Sequence, residues 1–277
     1  MMWADALGQQ HGAASGEVRI ASLVPSITEL LFDLGLGSRT VARTGFCIHP
    51  EPAVRAVEKV GGTKDVKLDR LRALAPTHVV VNIDENRRET VDEIRGFVPH
   101  VIVTHPCAPT DNFALYDLLG GIFGRQDEAA RLSAELCAAL DVLQARRWPA
   151  RRVLYAIWQD PWMTVSRATY ISRMLALVNW STWPDDALVA CVDGDCSRPN
   201  AGGERYPTFR WSDALVRELD AVLLSTEPYR FTDDHADALE RQIGKPVLLV
   251  DGEMLSWYGS RAVAGVRYLE RLAAAGI

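Results

Sequence analysis

Residues 124–148, GRQDEAARLSAELCAALDVLQARRW, decide how the rest of the chain is read. Leu132, Leu136, Ala139, Leu140 and Leu143 recur at three- and four-residue steps, so one face is apolar and the remainder charged. Asp127 and Glu128 fall in the first turn and Arg146 and Arg147 in the last, which suits both ends of a helix dipole. Pro149 then stops the helix. At a rise of about 1.5 Å per residue the rod spans roughly 35 Å, the breadth of a small domain. What lies on either side of it is alike.

Before the rod, VRIASLVP (from Val18), TVARTGF, HVVVN and HVIVTHP read as buried strands alternating with amphipathic helices. Ser26, with Glu29 three residues on, has the spacing of a capping box for the first helix. After Pro149 the same grammar returns in RVLYAIW, AVLLSTEP and PVLLV, each with its helix. LRALAPTHVVVNIDEN corresponds in kind to ALVRELDAVLLSTEPY, and PHVIVTHP to KPVLLVDG. Alternating strands and helices imply parallel sheets covered on both faces. The predicted fold is therefore α/β: two similar lobes with mostly parallel sheets, joined by one long rigid helix. One continuous doubly wound sheet is the alternative. The boundaries are a flexible tail over 1–17, an N-terminal lobe over 18–123, the bridging helix over 124–148 and a C-terminal lobe over 149–277.

With 277 residues, 48% of them hydrophobic, the chain is long enough for two ordinary α/β domains. Its net charge of −6 argues against a nucleic-acid partner, since phosphate neutralisation needs a basic face. No stretch approaches the roughly 18 apolar residues of a membrane span. The opening MMWADALGQQHGAASGEVRI lacks a basic segment followed by roughly 7–15 apolar residues, so no secretory signal is visible. Of the five cysteines, Cys137 reads as a small buried hydrophobe. Cys191 and Cys196 share a polar loop in which a disulfide, a metal pair or two idle thiols all fit.

In parallel α/β sheets, ligands bind beyond the carboxyl ends of the strands. The unusual residues fall there. In the first half they are Phe46, Cys47 and His49, then Thr63 beside Gly61 and Gly62, Asn82, Glu85 and the His105–Cys107 stretch. In the second half they are Trp158, Trp162, Glu227, Tyr229, Glu253, Trp257 and Tyr258. An aromatic wall facing a more polar one suits a flat or ring-shaped ligand. Cys47 and His49, two residues apart, could touch one metal ion, thiolate and imidazole suiting zinc or copper. A Cys–His pair could also be a nucleophile and its base, although nothing marks an oxyanion hole. The GGTK stretch lacks Walker spacing, and GxGxxG, GxSxG and HExxH are all absent.

The runs IASLVPSITELLFDLGLG and KLDRLRALAPTHVVV, the long helix and the second α/β half resemble the class III substrate-binding proteins of ABC importers. Within that family the likeness is nearest to the cobalamin-binding, metal-chelate branch. The resemblance implies a binding protein without catalytic residues, holding a metal chelate or corrinoid as its ligand rather than a resident cofactor. Its small-molecule cargo would sit between the lobes of a monomer, with an ABC permease as partner. Cobalamin binders place aromatics where Thr63 and Asn82 stand here; aromatics remain at Trp162 and Tyr206, and an acidic group at Glu253. Asp69 and Asp213 match the two acidic residues that dock family members onto the permease. The family is periplasmic, whereas the missing signal keeps a cytoplasmic binder using Cys47 and His49 open. An enzyme acting in the same cleft is the second alternative.

Overall fold

The computed structural model describes residues 1–184 and 205–276, so Cys191 and Cys196 lie outside the described residues. The chain divides into two compact units. The first comprises Met1–Pro106, Thr110–Cys137 and Tyr258–Arg261; the second comprises Cys107–Pro109, Ala138–Trp257 and Ala262–Ile277.

The chain opens with β1 (Met2–Ala4) and β2 (Gln10–Gly12), an antiparallel hairpin where the sequence suggested a loose tail. Trp3, His11 and Asp5 are buried in it. Then follow β3 (Ile20–Ser22), α1 (Pro25–Asp33), β4 (Thr40–Arg43), β5 (Glu58–Lys59), α2 (Leu68–Ala73), β6 (His78–Asn82), α3 (Arg88–Arg95), β7 (His100–Thr104) and α4 (Asp111–Phe123). The strands form one parallel sheet in the order β5-β4-β3-β6-β7. Branched residues of the sheet, among them Val79, Val81, Val101 and Val103, pack with Leu71, Val91 and Ile94 from α2 and α3. Such all-apolar strands are what a sheet buried on both faces requires. The capping box expected at Ser26 is absent. Val24 is the N-cap, Pro25 occupies the first helical turn with its fixed φ, and Ser26 is buried inside the helix.

The hairpin covers an edge. β7 ends the sheet, and its Val103 N–H is met by Asp5 Oδ2 at 3.1 Å while its carbonyl accepts from Ala6 N at 2.9 Å. The Asp5 carboxylate also accepts from Leu7 N and Gln9 N and pairs with His11 Nε2 at 3.2 Å. Trp3 lies on α4 at Gly121, where a Cβ would meet its ring at 2.0 Å; at the neighbouring Gly120 a Cβ would meet Ala129 at 2.6 Å. Each of these mid-helix glycines costs about 1 kcal/mol of helix propensity. Here they make room for a tryptophan and a second helix.

The long helix α5 (Gln126–Gln144) is shorter than the sequence suggested, about 28 Å, and the boundary between the two units falls inside it. Gly124, at φ +66°, is the left-handed cap that ends α4, so the rod cannot begin there. Arg146 lies past its end, over the Trp148 ring at 4.5 Å and 3.3 Å from Glu270.

The second unit carries β8 (Arg151–Trp158), β9 (Met163–Thr164), α6 (Tyr170–Ala176), β10 (Trp180–Thr182), α7 (Asp213–Glu218), β11 (Ala221–Ser225), α8 (Asp233–Ile243), β12 (Val247–Val250), α9 (Gly252–Ser256) and α10 (Arg261–Ala275). β10-β8-β11-β12 are parallel, and β9 turns back antiparallel on β8. Among the described residues the parallel strands thus fall into two separate sheets rather than one continuous sheet. The short strands β9 and β10 lie in stretches the sequence left irregular, because two or three residues carry too little periodicity to read.

Candidate functional site

In the first unit, the loop beyond β4 is organised by Arg43. Its guanidinium is buried and donates from Nε to the carbonyls of Val54 (2.9 Å) and Val57 (3.2 Å) and from Nη1 to those of Cys47 (2.9 Å) and Thr44 (3.3 Å). The loop is therefore held by its backbone, and its apolar side chains point outward: Phe46 is 63% and Ile48 46% exposed. Cys47 between them points in, wholly buried, with Sγ 3.1 Å from Thr44 Oγ1. Burial pushes its thiol pKa up. Cys47 therefore does not present a thiolate beside His49, which the expected metal pair, or nucleophile and base, would need. A buried, protonated thiol is neither a thiolate ligand nor an accessible nucleophile. No group of three or more His, Cys, Asp or Glu side chains is placed to hold a metal among the described residues.

Beyond β6 the organiser is Asn86. Its Oδ1 accepts from Asn82 N at 2.9 Å, and its Nδ2 donates to Leu23 O at 3.2 Å and Thr63 O at 3.0 Å. One buried side chain thus ties the loops after β3 and β6 to the GGTK turn. Gly61 makes that turn: it has φ +108°, and a Cβ there would sit 2.3 Å from Asp65 O. Asn82, expected to face a ligand, instead spends Oδ1 on Asp84 N at 2.8 Å and lies buried. Ile83 beside it is 44% exposed. Glu85 is half-buried, and its carboxyl is pushed up by burial, pulled down by Lys64 and pushed up again by Asp84. Lys64 Nζ also contacts the Asp84 carbonyl, and His105 lies 3.5 Å from the Asp84 carboxylate.

In the second unit, Trp158 at the end of β8 is 40% exposed and meets Tyr229 edge-on at 5.5 Å. Trp162 is half-buried, stacked on Phe231 at 5.8 Å and edge-on to Trp211 at 5.5 Å. Tyr206 is 36% exposed. Trp257 departs from the expected aromatic wall. It is buried, and its indole Nε1 donates to Glu227 Oε1 at 2.8 Å. Glu227 and Glu253 line an open depression with Thr226, Leu249, Val250 and Asp251, at the carboxyl ends of β11 and β12.

At the carboxyl ends of the two sheets, half of the residues expected in the first unit and most of those expected in the second lie in the loops. Phe46, Thr63 and Glu85 assemble in the first; Trp158, Trp162, Glu227, Tyr229 and Glu253 in the second. Asp69 and Asp213 are exposed in the first turns of α2 and α7. Sequence reasoning places Ile48 and Asn86 in the strand-end loops without their roles, and it missed Ile83 as an exposed apolar group and Arg43 as a residue that fixes a loop. The isolated isoleucine in the otherwise polar turn IDENR was the available signal.

Residues 20–187 match the family model described as periplasmic binding protein. The vitamin B12-binding protein of Pectobacterium atrosepticum is 20% identical over 258 residues, covering 91% of this chain and 86% of that protein. Among solved structures, the periplasmic vitamin B12 binding protein of Vibrio cholerae superposes with a TM-score of 0.72 at 17% identity, covering 91% of this chain and 96% of the other. The periplasmic heme-binding protein of Roseiflexus sp. RS-1 superposes with a TM-score of 0.68 at 22% identity, covering 94% and 98%.

Proposed function

The chain belongs to the periplasmic binding protein family, and we propose that it is the substrate receptor of an ABC importer for a flat metal chelate of the corrinoid type. The observation that carries this reading is that five of the exposed large apolar side chains among the described residues lie in loops or at a strand end beyond the first hairpin, Met1, Met2, Leu7 and Val142 being the others. Phe46, Ile48 and Ile83 crown the strand ends of the first unit, and Trp158 and Tyr206 belong to the second. Large apolar groups left open at carboxyl-end loops are the usual furnishing of a ligand face. The relatives named for vitamin B12 support a macrocyclic cargo. So does the mixture of aliphatic and aromatic surface, which takes up a large ring without needing a covalent ligand to its metal. No helix of the described residues is long and apolar enough to cross a membrane; that the receptor acts at the outer face of the membrane as a monomer is part of the same proposal.

The test is a titration of the purified chain with cyanocobalamin, followed by tryptophan fluorescence. Saturable binding is expected, and Phe46→Ala and Trp158→Ala each weaken it by about tenfold, or about 1.4 kcal/mol. Both side chains are exposed, so the melting temperature stays within a degree or two of wild type. Absence of binding across corrinoids and haemin would overturn the reading.

Asp69 and Asp213 are the carboxylates we assign to permease docking, each on an exposed first helical turn. Charge pairs at the rim of an interface govern encounter more than ligand affinity. Asp69→Lys is therefore expected to abolish stimulation of the permease ATPase while leaving cyanocobalamin affinity intact. A variant that stimulates normally removes Asp69 from that role.

A further inference from the structure

The second unit contains a carboxylate gripped more firmly than a solvated surface acid needs to be. Glu227 Oε1 accepts from Trp257 Nε1 at 2.8 Å and from Ser256 Oγ at 2.8 Å. Both donors come from the end of α9, and Trp257 is only 8% exposed. The Glu227 backbone is fixed as well. Ser225 Oγ donates to its carbonyl at 2.6 Å, and the fully buried Tyr155 hydroxyl donates to Ser225 Oγ at 2.9 Å. Close packing completes the seat: a Cβ on Gly252 would lie 2.5 Å from Glu227 Cγ and 2.4 Å from Ser225 Oγ. Glu227 thus lies against the start of α9 in one orientation, on the wall of a depression it shares with Asp251 and Glu253.

Building on the receptor reading above, we propose that Trp257 is a positioning residue for Glu227 and that the pair sets ligand specificity. Together they favour a chelate that presents amide or amine N–H groups to this depression over one that presents carboxylates. One N–H and one O–H donor on the same carboxylate oxygen fix its direction. An anionic periphery brought against Glu227, Asp251 and Glu253 meets like charge in a partly desolvated place, which is how binding sites reject a competitor. An N–H donor or positive charge there meets an acceptor already oriented. Trp257 acts through its nitrogen, not as a stacking surface.

The first test uses ligand-free protein. The ¹H–¹⁵N indole resonance of Trp257 is expected to move as pH falls through the carboxylate range, and to stop moving in Glu227→Gln. A resonance indifferent to pH in wild type, or one that moves equally in Glu227→Gln, overturns the positioning role. The second test measures cyanocobalamin, whose corrin periphery carries amides, against haemin, which carries two propionates. Wild type is expected to prefer cyanocobalamin. Trp257→Phe should shrink that preference about tenfold with native near-ultraviolet circular dichroism, and Glu227→Gln should strengthen haemin binding. An unchanged preference in both variants overturns the specificity role. If Trp257→Phe does not fold, Ser256→Ala, which removes the second donor to the same oxygen, replaces it. Binding of neither probe by wild type overturns the receptor reading and the selectivity built on it, while the indole titration still decides whether the contact orients the carboxylate.

Discussion

Single side chains do much of the organising in this molecule, and they are not the ones a motif search would select. Asn86 joins three loops by hydrogen bonds to Asn82 N, Leu23 O and Thr63 O. Replacing it by alanine leaves buried backbone groups without partners, so Asn86→Ala is expected to cost about 2–3 kcal/mol in urea unfolding. Cys47 makes the opposite point. Its position in FCIHP suggested reactivity, because sequence shows the residue type and the loop but not which way the side chain faces. Burial keeps the thiol protonated and enclosed. Cys137, expected to be a buried hydrophobe, is instead exposed on α5, so under native alkylation mapped by mass spectrometry it should react and Cys47 should not. Rapid native labelling of Cys47 would show an accessible thiolate and restore it as a ligand candidate. Trp257 was unreadable for the same reason: an aromatic in a polar stretch is equally consistent with an open wall and a buried donor.

At the scale of elements, the strand ends were legible and the hairpin was not. HVVVN, HVIVT and AVLLS are continuous apolar runs, and such runs admit little but a covered strand. β1 and β2 have three residues each, and the groove that receives Trp3 is made by Gly121, far along the chain. Gly121→Ala therefore has a sign that distinguishes two accounts. In a freely exposed helix the change would stabilise by about 1 kcal/mol. Here the Cβ would strike the Trp3 ring, so the melting temperature should fall and the hairpin should loosen. Displacing it uncovers β7, and an uncovered edge invites pairing with another chain. The start of β6 brings a pH effect. His78 stacks on His100 at 4.6 Å, and burial first, then His100 and His11, lower its pKa from 6.5 to about 4. Between those values the unfolded chain binds the proton that the folded one refuses, so this contribution makes stability rise with pH from about 4 to 6.5. The buried carboxyl of Glu85, shifted upward, has the opposite sign: its contribution is fullest in acid and is lost as pH rises through the shifted value. Comparing the urea midpoint at pH 5 and pH 7 in wild type and His78→Gln isolates the histidine, and an unchanged difference would remove it from the account.

On the scale of the whole molecule, the duplication read from the sequence is present as two five-stranded, mostly parallel sheets. What the sequence could not show is that the units are not consecutive in the chain. Tyr258–Arg261 belong to the first, although most of the second lies between. The return segment is tightly bound there: Gly259 N donates to Asn112 Oδ1 at 2.6 Å, Tyr116 donates to Gly259 O at 2.8 Å, and Arg261 grips Glu29 bidentately at 2.6 and 2.8 Å. A fragment ending at residue 137 lacks that clasp and should melt well below the intact chain, which circular dichroism of the two would establish. Protein synthesis runs in one direction only. The opening unit is therefore made before the segment that completes it, and its last contacts close only once Tyr258–Arg261, which follow most of the second unit, have been added.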